Sequence, residues 1–351
     1  MKRRVGIIGK IGSKGSWCDG QTIKTKNLEM LLKEMGVVSL TKVDTCYFQT
    51  NKIKLMLDTL WCILTCKDIF LMVSVNGMNF YLPFLYYANK VMHRRVYHYV
   101  IGSELLEMVS KNPKLIKYLN SLTVNWFEYE TGTKYLKSQG VINVSTLPNF
   151  KLITPIQASC SYKWDSGKFR YCTFSRVMEE KGITEAIQCL RSINQERGEI
   201  IATLDIYGQV DPNYQSKLNE LLQENSDFVS YKGIVDSQKS VDTLKQYYAL
   251  LFPTHWAGEG FPGTIIDAFA AGIPVIASDW NANKEIIHHL KQGIIYPNCE
   301  MFNLRDAINW SIQNVQEMTN MRKDSRAEFE KYTADAISQV IIAKMKETEK
   351  M

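Results

Sequence analysis

The stretch Phe252–Ala277, FPTHWAGEGFPGTIIDAFAAGIPVIA, gathers the residues best suited to hold an anion. A predicted strand ends at Phe252, a loop carries His255, Trp256 and Glu259, and Gly260-Phe261-Pro262-Gly263 leads into a helix from about Thr264. Glycines let the backbone approach a ligand closely and proline is tolerated where a helix starts. The exposed N–H groups of the first turn then make a phosphate site. Thr264 and Asp267 share a helix face, so a hydroxyl could bind phosphate while a carboxylate accepts hydrogen bonds from a diol. The same pair also reads as a capping box, which needs no ligand. Upstream, Phe174-Ser175-Arg176 and Glu179-Glu180-Lys181-Gly182 put a guanidinium and an ammonium at the end of another predicted strand. A forked Arg contact and a Lys point charge suit a diphosphate; the alternative is a solvated charged loop. Gly9-Lys10-Ile11-Gly12-Ser13-Lys14-Gly15 is glycine-rich but has neither G-x-G-x-x-G nor Walker spacing, and by itself is weak evidence for phosphate.

These residues must be positioned by alternating strands and helices. Short β-branched runs predict strands near Val5–Gly9, Val37–Val43, Ile69–Val75, Val96–Ile101, Leu122–Phe127 and Ile142–Leu147. Helices are predicted between them, notably Gln21–Glu34, Lys52–Leu64 and Phe80–Val91. The second half repeats the pattern with strands near Arg170–Phe174, Ile200–Tyr207, Phe228–Tyr231, Ala249–Phe252, Pro274–Ala277 and Gly293–Ile295, and helices at Thr184–Ile193 and Thr264–Ala271. Periodicity lapses over Leu147–Lys168, where Pro148, Asn149 and Pro155 precede a polar segment, Ser159–Gly167. The expectation is α/β: two doubly wound, Rossmann-like parallel-sheet domains, residues 1–152 and 153–332, with a working cleft between them. A last helix, about Ala334–Lys346 within 333–351, carries Ala334, Ile337, Val340, Ile341 and Met345 at helical spacing and should pack back toward the first domain.

At 351 residues, 45% hydrophobic and 22% charged, the chain is neither a disulfide-stapled miniature nor a disordered one. Its eight cysteines (18, 46, 62, 66, 160, 172, 189, 299) contain no Cys-x-x-Cys, and most lie in apolar runs, as in a reducing, cytosolic chain. Cys62 and Cys66 share a helix face, but the five histidines supply no matching zinc spacing. The apolar run Val5–Ile8 is too short for a signal peptide. The region Ile53–Phe84 is broken by Lys54, Asp58, Lys67 and Asp68, so no membrane span is expected. Charge divides unevenly, net +11 over residues 1–155 and net −5 over 156–351. The basic half suits anionic lipid or a phosphorylated ligand, or reflects ordinary surface scatter; with no aromatic platform or recognition helix, nucleic acid ranks last.

Taken together, FSRVMEEKG, LDIYG, YKGIV and Glu259-x7-Asp267, in that order between Phe169 and Pro297, resemble the nucleotide-sugar-dependent glycosyltransferases of family 4, which have the GT-B fold. GIIGKIG and DGQTIKTKNL are similar, less specifically, to bacterial capsule and surface-polysaccharide transferases. The resemblance implies that Arg176 and Lys181 neutralise the donor diphosphate, Glu259 binds donor-sugar hydroxyls and Asp267 the ribose. Gly260, Phe261, Pro262 and Gly263 would hold sugar and phosphate, Thr264 the phosphate, and Gly233-Ile234-Val235 the base, with Gly12 a further donor contact. Two departures stand out. The family's second acidic residue is usually Glu, one methylene longer than Asp267, and its sugar-side histidine has no counterpart at Ile101-Gly102-Ser103, leaving His98 as the nearest candidate. Trp256 could stack on a sugar or simply pack.

The resemblance further implies retention of configuration, without metal or other cofactor: no Asp-x-Asp occurs in the chain, so fixed cations and a helix dipole would stabilise the leaving nucleoside diphosphate. A UDP-sugar is the favoured donor, and a saccharide on a polyprenyl diphosphate the expected acceptor. Reversible docking from the cytoplasm onto an anionic inner leaflet through the basic half would follow. Phe80, Phe84, Tyr87 and Val91, at helical spacing, read first as a core-facing stripe and second as an inserting one. The rivals are a sugar-nucleotide 2-epimerase of the same architecture and a non-enzymatic nucleotide-sugar binder.

Overall fold

The computed structural model describes residues 4–12, 20–157, 168–297 and 303–350; Lys2, Arg3, the segment Ser13–Gly15, Ser159–Gly167 and three of the cysteines (18, 160, 299) lie outside them. It divides into two compact units, Met1–Leu152 with Tyr332–Met351, and Ile153–Lys331.

Each unit is built on a six-stranded, all-parallel sheet. The first holds β1 (Arg4–Gly9), β2 (Ser39–Asp44), β3 (Asp68–Met72), β4 (Arg95–Tyr99), β5 (Val124–Phe127) and β6 (Val144–Thr146) in the order β2-β1-β3-β4-β5-β6. The second holds β7 (Phe169–Phe174), β8 (Ala202–Tyr207), β9 (Val229–Gly233), β10 (Ala249–Phe252), β11 (Val275–Ser278) and β12 (Gly293–Tyr296) in the order β12-β11-β10-β7-β8-β9. Strands β3, β5, β10 and β11 are buried at every residue, because helices cover both faces, and apart from Asp68, Asn125 and Ser278 they read as apolar runs rather than alternating ones. Strand order reverses between β7 and β10, so the loops leaving those two strands flank the crevice where such sheets bind ligands.

In the first unit Phe70, Tyr97 and Trp126 stack across the sheet, with centroids 5.0 and 5.8 Å apart in successive pairs. Ile337, Ile341 and Met345 of the helix Ala334–Glu347 complete that core together with Val5, Leu28 and Leu32. Tyr97 ties the helix end down: its hydroxyl lies 2.8 Å from Thr348 Oγ1 and donates to Asp68 Oδ1 at 3.2 Å.

Two expectations are corrected here. The strand predicted over Ile69–Val75 stops at Met72, and a helix already begins at Val75 and runs to Met92 with Pro83 inside it. The β-branched pair Val73 and Val75 suggested extension, but Ser74 turns the chain and its carbonyl accepts from Met78 N at 2.8 Å. On that helix Met78, Tyr81, Leu82 and Leu85 face the core, whereas Phe80, Tyr87 and Val91 are exposed and Phe84 half-buried. The apolar stripe expected to pack inward therefore faces solvent; two stripes share the helix, and spacing alone does not tell which one the sheet covers.

Candidate functional site

The end of β7 and the end of β8 are zipped together by Val177 N donating to Gln209 O and Asp211 N to Val177 O, each at 2.9 Å. A Cβ on Gly208, at φ +136°, would meet Ser175 O at 1.8 Å, so only glycine permits that approach. Arg176 projects from this junction, exposed, with Nη2 donating to Asp211 Oδ2 at 2.5 Å.

Beyond it, a short 3-10 turn, Glu179–Lys181, precedes the helix Ile183–Arg197, and Gly182 seats that helix against the backbone of Pro253 in the loop after β10. This close approach buries Lys181. Its ammonium pairs with Glu259 and sits 4.6 Å from the Trp256 ring centroid. Thr254 Oγ1 donates to the same carboxylate oxygen at 3.1 Å. The loop is braced from the end of β11 and the segment after it: Ser278 Oγ donates to Thr254 O at 2.6 Å, Trp280 Nε1 to Trp256 O at 2.8 Å and Asn281 Nδ2 to Glu259 O at 3.0 Å. Lys181 is thus not the exposed, unpaired cation that a charged loop suggests, because three sequence-distant segments close over it.

The buried turn Gly260-Phe261-Pro262 delivers the helix Gly263–Ala270. Pro262 occupies the N-cap position without a side-chain cap, and Thr264 lies one residue into the helix, so the capping box does not form. Thr264 Oγ1 is buried and has no hydrogen-bond partner among the described residues. Asp267 instead turns toward the helix Ser240–Leu244 and accepts from Ser240 Oγ at 2.8 Å. Gly233, Ile234 and Val235 leave the end of β9; Ile234 is exposed, and Tyr231 donates to Gly208 O at 2.8 Å, tying that loop to the β8 end. The β7, β8, β9 and β10 ends of this unit therefore present Arg176, Gly233–Val235, the Lys181–Glu259 pair and the N-terminus carrying Thr264. Sequence reasoning missed Thr254, Asp211, Ser240, Trp280 and Asn281; their types are ordinary, and none lies at a spacing that signals its partner.

The remaining candidates belong to the first unit. Gly12 follows β1 at φ +71°, next to Ile11, whose N–H donates to Asp44 Oδ1 at 3.0 Å. His98 is one residue before the end of β4 but fully buried within the sheet, paired with Leu71 on β3 and Asn125 on β5. Asn125 already donates its amide protons to Leu119 O and Asn143 Oδ1, so its Oδ1 accepts from His98 Nδ1–H at 2.9 Å and leaves Nε2 bare and unpartnered. Burial pushes the His98 pKa down to about 4, a neutral core imidazole rather than a proton carrier. No group of three or more His, Cys, Asp or Glu among the described residues could hold a metal ion.

Residues 159–328 match the family described as glycosyl transferases group 1. Among curated proteins, the chain is 26% identical over 102 residues to the D-rhamnosyltransferase WbpZ of Pseudomonas aeruginosa, covering 29% of this chain and 27% of that one. It is 26% identical over 132 residues to the amylovoran biosynthesis glycosyltransferase AmsK of Erwinia amylovora, covering 36% and 32%. The matched parts thus span about a third or less of these relatives. Among solved structures, the Anabaena protein HepE in complex with UDP and glucose superposes with TM-score 0.68 at 14% identity, covering 98% of this chain and 100% of that one. Sucrose-phosphate synthase from Thermosynechococcus elongatus superposes with TM-score 0.75 at 14% identity, covering 99% of each. The fold is the two-domain α/β GT-B architecture.

Proposed function

We propose that this chain is a retaining, metal-independent glycosyltransferase of family 4, moving a hexosyl unit from a UDP-sugar to a saccharide acceptor in surface-polysaccharide synthesis. The observation that carries the reading is the buried Lys181–Glu259 pair beside a helix N-terminus whose Thr264 hydroxyl is unsatisfied. A buried hydroxyl without a partner is costly unless a ligand completes it. The group 1 match over this unit and HepE's complexes with UDP and with UDP-glucose support a nucleotide sugar as that ligand.

On this reading Arg176 exchanges Asp211 for the donor diphosphate, and Lys181 and the first-turn N–H groups of the helix Gly263–Ala270 stabilise the charge that develops as the nucleoside diphosphate leaves. Glu259, oriented by Thr254, accepts from sugar hydroxyls; Asp267, oriented by Ser240, accepts from ribose; Gly233–Val235 border the base. Cations at fixed positions and the absence of Asp-x-Asp from the sequence support metal independence. The acceptor is a polyprenyl-linked saccharide at the inner face of the plasma membrane, which the +11 balance of residues 1–155 supports. Among the described residues no helix is long and apolar enough to cross a bilayer.

Thermal unfolding and donor hydrolysis, measured across UDP-, GDP-, ADP- and dTDP-sugars, test the proposal. UDP should raise the melting temperature, sugar release should respond to added acceptor, and EDTA should leave the rate unchanged. Tight binding without turnover over a broad acceptor panel would refute catalysis, and nucleotide release independent of acceptor would point to an epimerase.

A further inference from the structure

The helix Lys52–Thr65 in the first unit carries two apolar faces. Leu55, Thr59, Cys62 and Ile63 are buried toward the sheet. On the opposite side Ile53, Met56, Leu57, Leu60, Trp61 and Leu64, spaced by three, one, three, one and three residues along one helical stripe, are 42–69% exposed. Six large apolar side chains in one outward row exceed the scattered apolar exposure of an ordinary surface and mark an interaction site. The next helix, Val75–Met92, lies on the same side of the sheet, since both connect strands advancing in the same direction by right-handed crossovers. Thr59 Oγ1 lies 3.1 Å from Tyr81 OH, and Arg94 donates to Ile63 O and Leu64 O at 2.7 and 3.0 Å, linking the two helices. That second helix exposes Phe80, Tyr87 and Val91.

We infer that this paired-helix face is the surface by which the chain inserts into an anionic bilayer, an inference that rests on the peripheral-membrane reading above and assigns it to residues. Charge selects the occupant. Between residues 46 and 100 there are six Lys and Arg against Asp58 and Asp68, and each of these carboxylates already faces a cation: Lys54 at 2.5 Å and Arg95 at 2.8 Å. Lys52, Lys67 and Lys90 have no carboxylate partner among the described residues. Lys52 lies 5.1 Å from the Phe48 ring centroid, and Lys90 lies 5.1 and 5.5 Å from those of Tyr86 and Tyr87. An apolar row bordered by aromatic rings and snorkelling lysines suits the boundary between acyl chains and anionic headgroups. A second copy docked on the same face would set these lysines against their like.

Sedimentation of the full chain with vesicles tests the inference. Wild type should pellet with phosphatidylcholine–phosphatidylglycerol vesicles and stay largely in solution with phosphatidylcholine alone. The triple variant Leu57→Ser/Trp61→Ser/Leu64→Ser should lose on the order of 100-fold in partition, because the inserted apolar area is gone. Lys52→Ala/Lys67→Ala/Lys90→Ala should lose a similar factor on anionic vesicles only, and less at high salt. All these positions are exposed, so both variants should keep wild-type melting temperature and UDP response in vesicle-free buffer. That measurement also separates failure of docking from failure of the donor reading. Undiminished vesicle binding by the apolar variant, or none by wild type, overturns the inference. So does a wild-type dimer in sedimentation velocity that the apolar variant turns into a monomer.

Discussion

Replacing Lys181 by methionine removes one charge of the buried pair while keeping much of the side chain's length against Trp256. Both partners are 8% exposed, so the Glu259 carboxylate left behind has little water to turn to and retains the Thr254 hydroxyl at 3.1 Å. Breaking a buried pair from one side costs about 3–5 kcal/mol. The Thr254 bond places the expectation at the lower end, about 3 kcal/mol, which for a unit of this size is a melting-temperature drop of roughly 6–12 °C. Lys181→Met/Glu259→Gln leaves no orphan charge and should recover about 2 kcal/mol of the loss. Urea unfolding followed by circular dichroism, on wild type, both single variants and the double, closes a thermodynamic cycle. If Lys181→Met unfolds within about 0.5 kcal/mol of wild type, or the double variant loses the sum of the singles, the two charges are not coupled in the resting protein and the argument for the site's architecture fails.

Arg176→Ala should behave differently, since its pair with Asp211 is solvent-facing: stability changes by less than about 1 kcal/mol while donor turnover falls about 10²-fold, and steady-state kinetics beside a melting curve separate the two. Thr264→Val removes a buried hydroxyl that has no partner, so melting temperature should stay level or rise while UDP affinity, read by calorimetry, falls; unchanged affinity would remove Thr264 from the phosphate site. For His98 the folded pKa, about 4, lies below the value of about 6.5 expected in the unfolded chain. Its contribution is therefore fully present above pH 6.5 and lost as pH falls toward 4, by about 3 kcal/mol. In urea titrations over pH 4 to 7, His98→Asn, which can still donate to Asn125, should show a shallower pH dependence than wild type.

The strand pattern and the segment Phe252–Ala277 were legible because their signals are local: β-branched runs end where Gly and Pro accumulate, and β10 occupies Ala249–Phe252 as read. The Lys181–Glu259 pair was not, since the residues are 78 apart and meet only through the packing of Gly182 on Pro253. Thr264-x-x-Asp267 shows how a local motif misleads. The helix starts one residue earlier, at Gly263, and Asp267 is taken by Ser240 from another element. His98 failed for a related reason: its distance from a predicted strand end was close, but strand pairing placed it between Leu71 and Asn125. On the helices Lys52–Thr65 and Val75–Met92, periodicity identified which side chains share a face, and tertiary packing decided which face is covered.

The core of the first unit closes on Ile337, Ile341 and Met345, which leave the ribosome only after the whole of Ile153–Lys331 has been made. During synthesis the sheet that presents Val5, Tyr97 and Trp126 must wait with one flank uncovered, while the second unit, whose core draws on its own contiguous segment, can complete itself first. The order of maturation is thus the reverse of the order of translation. A chain ending at Lys331 and released from the ribosome would hold every core residue of the second unit and an unfinished first one, with apolar surface exposed to chaperones.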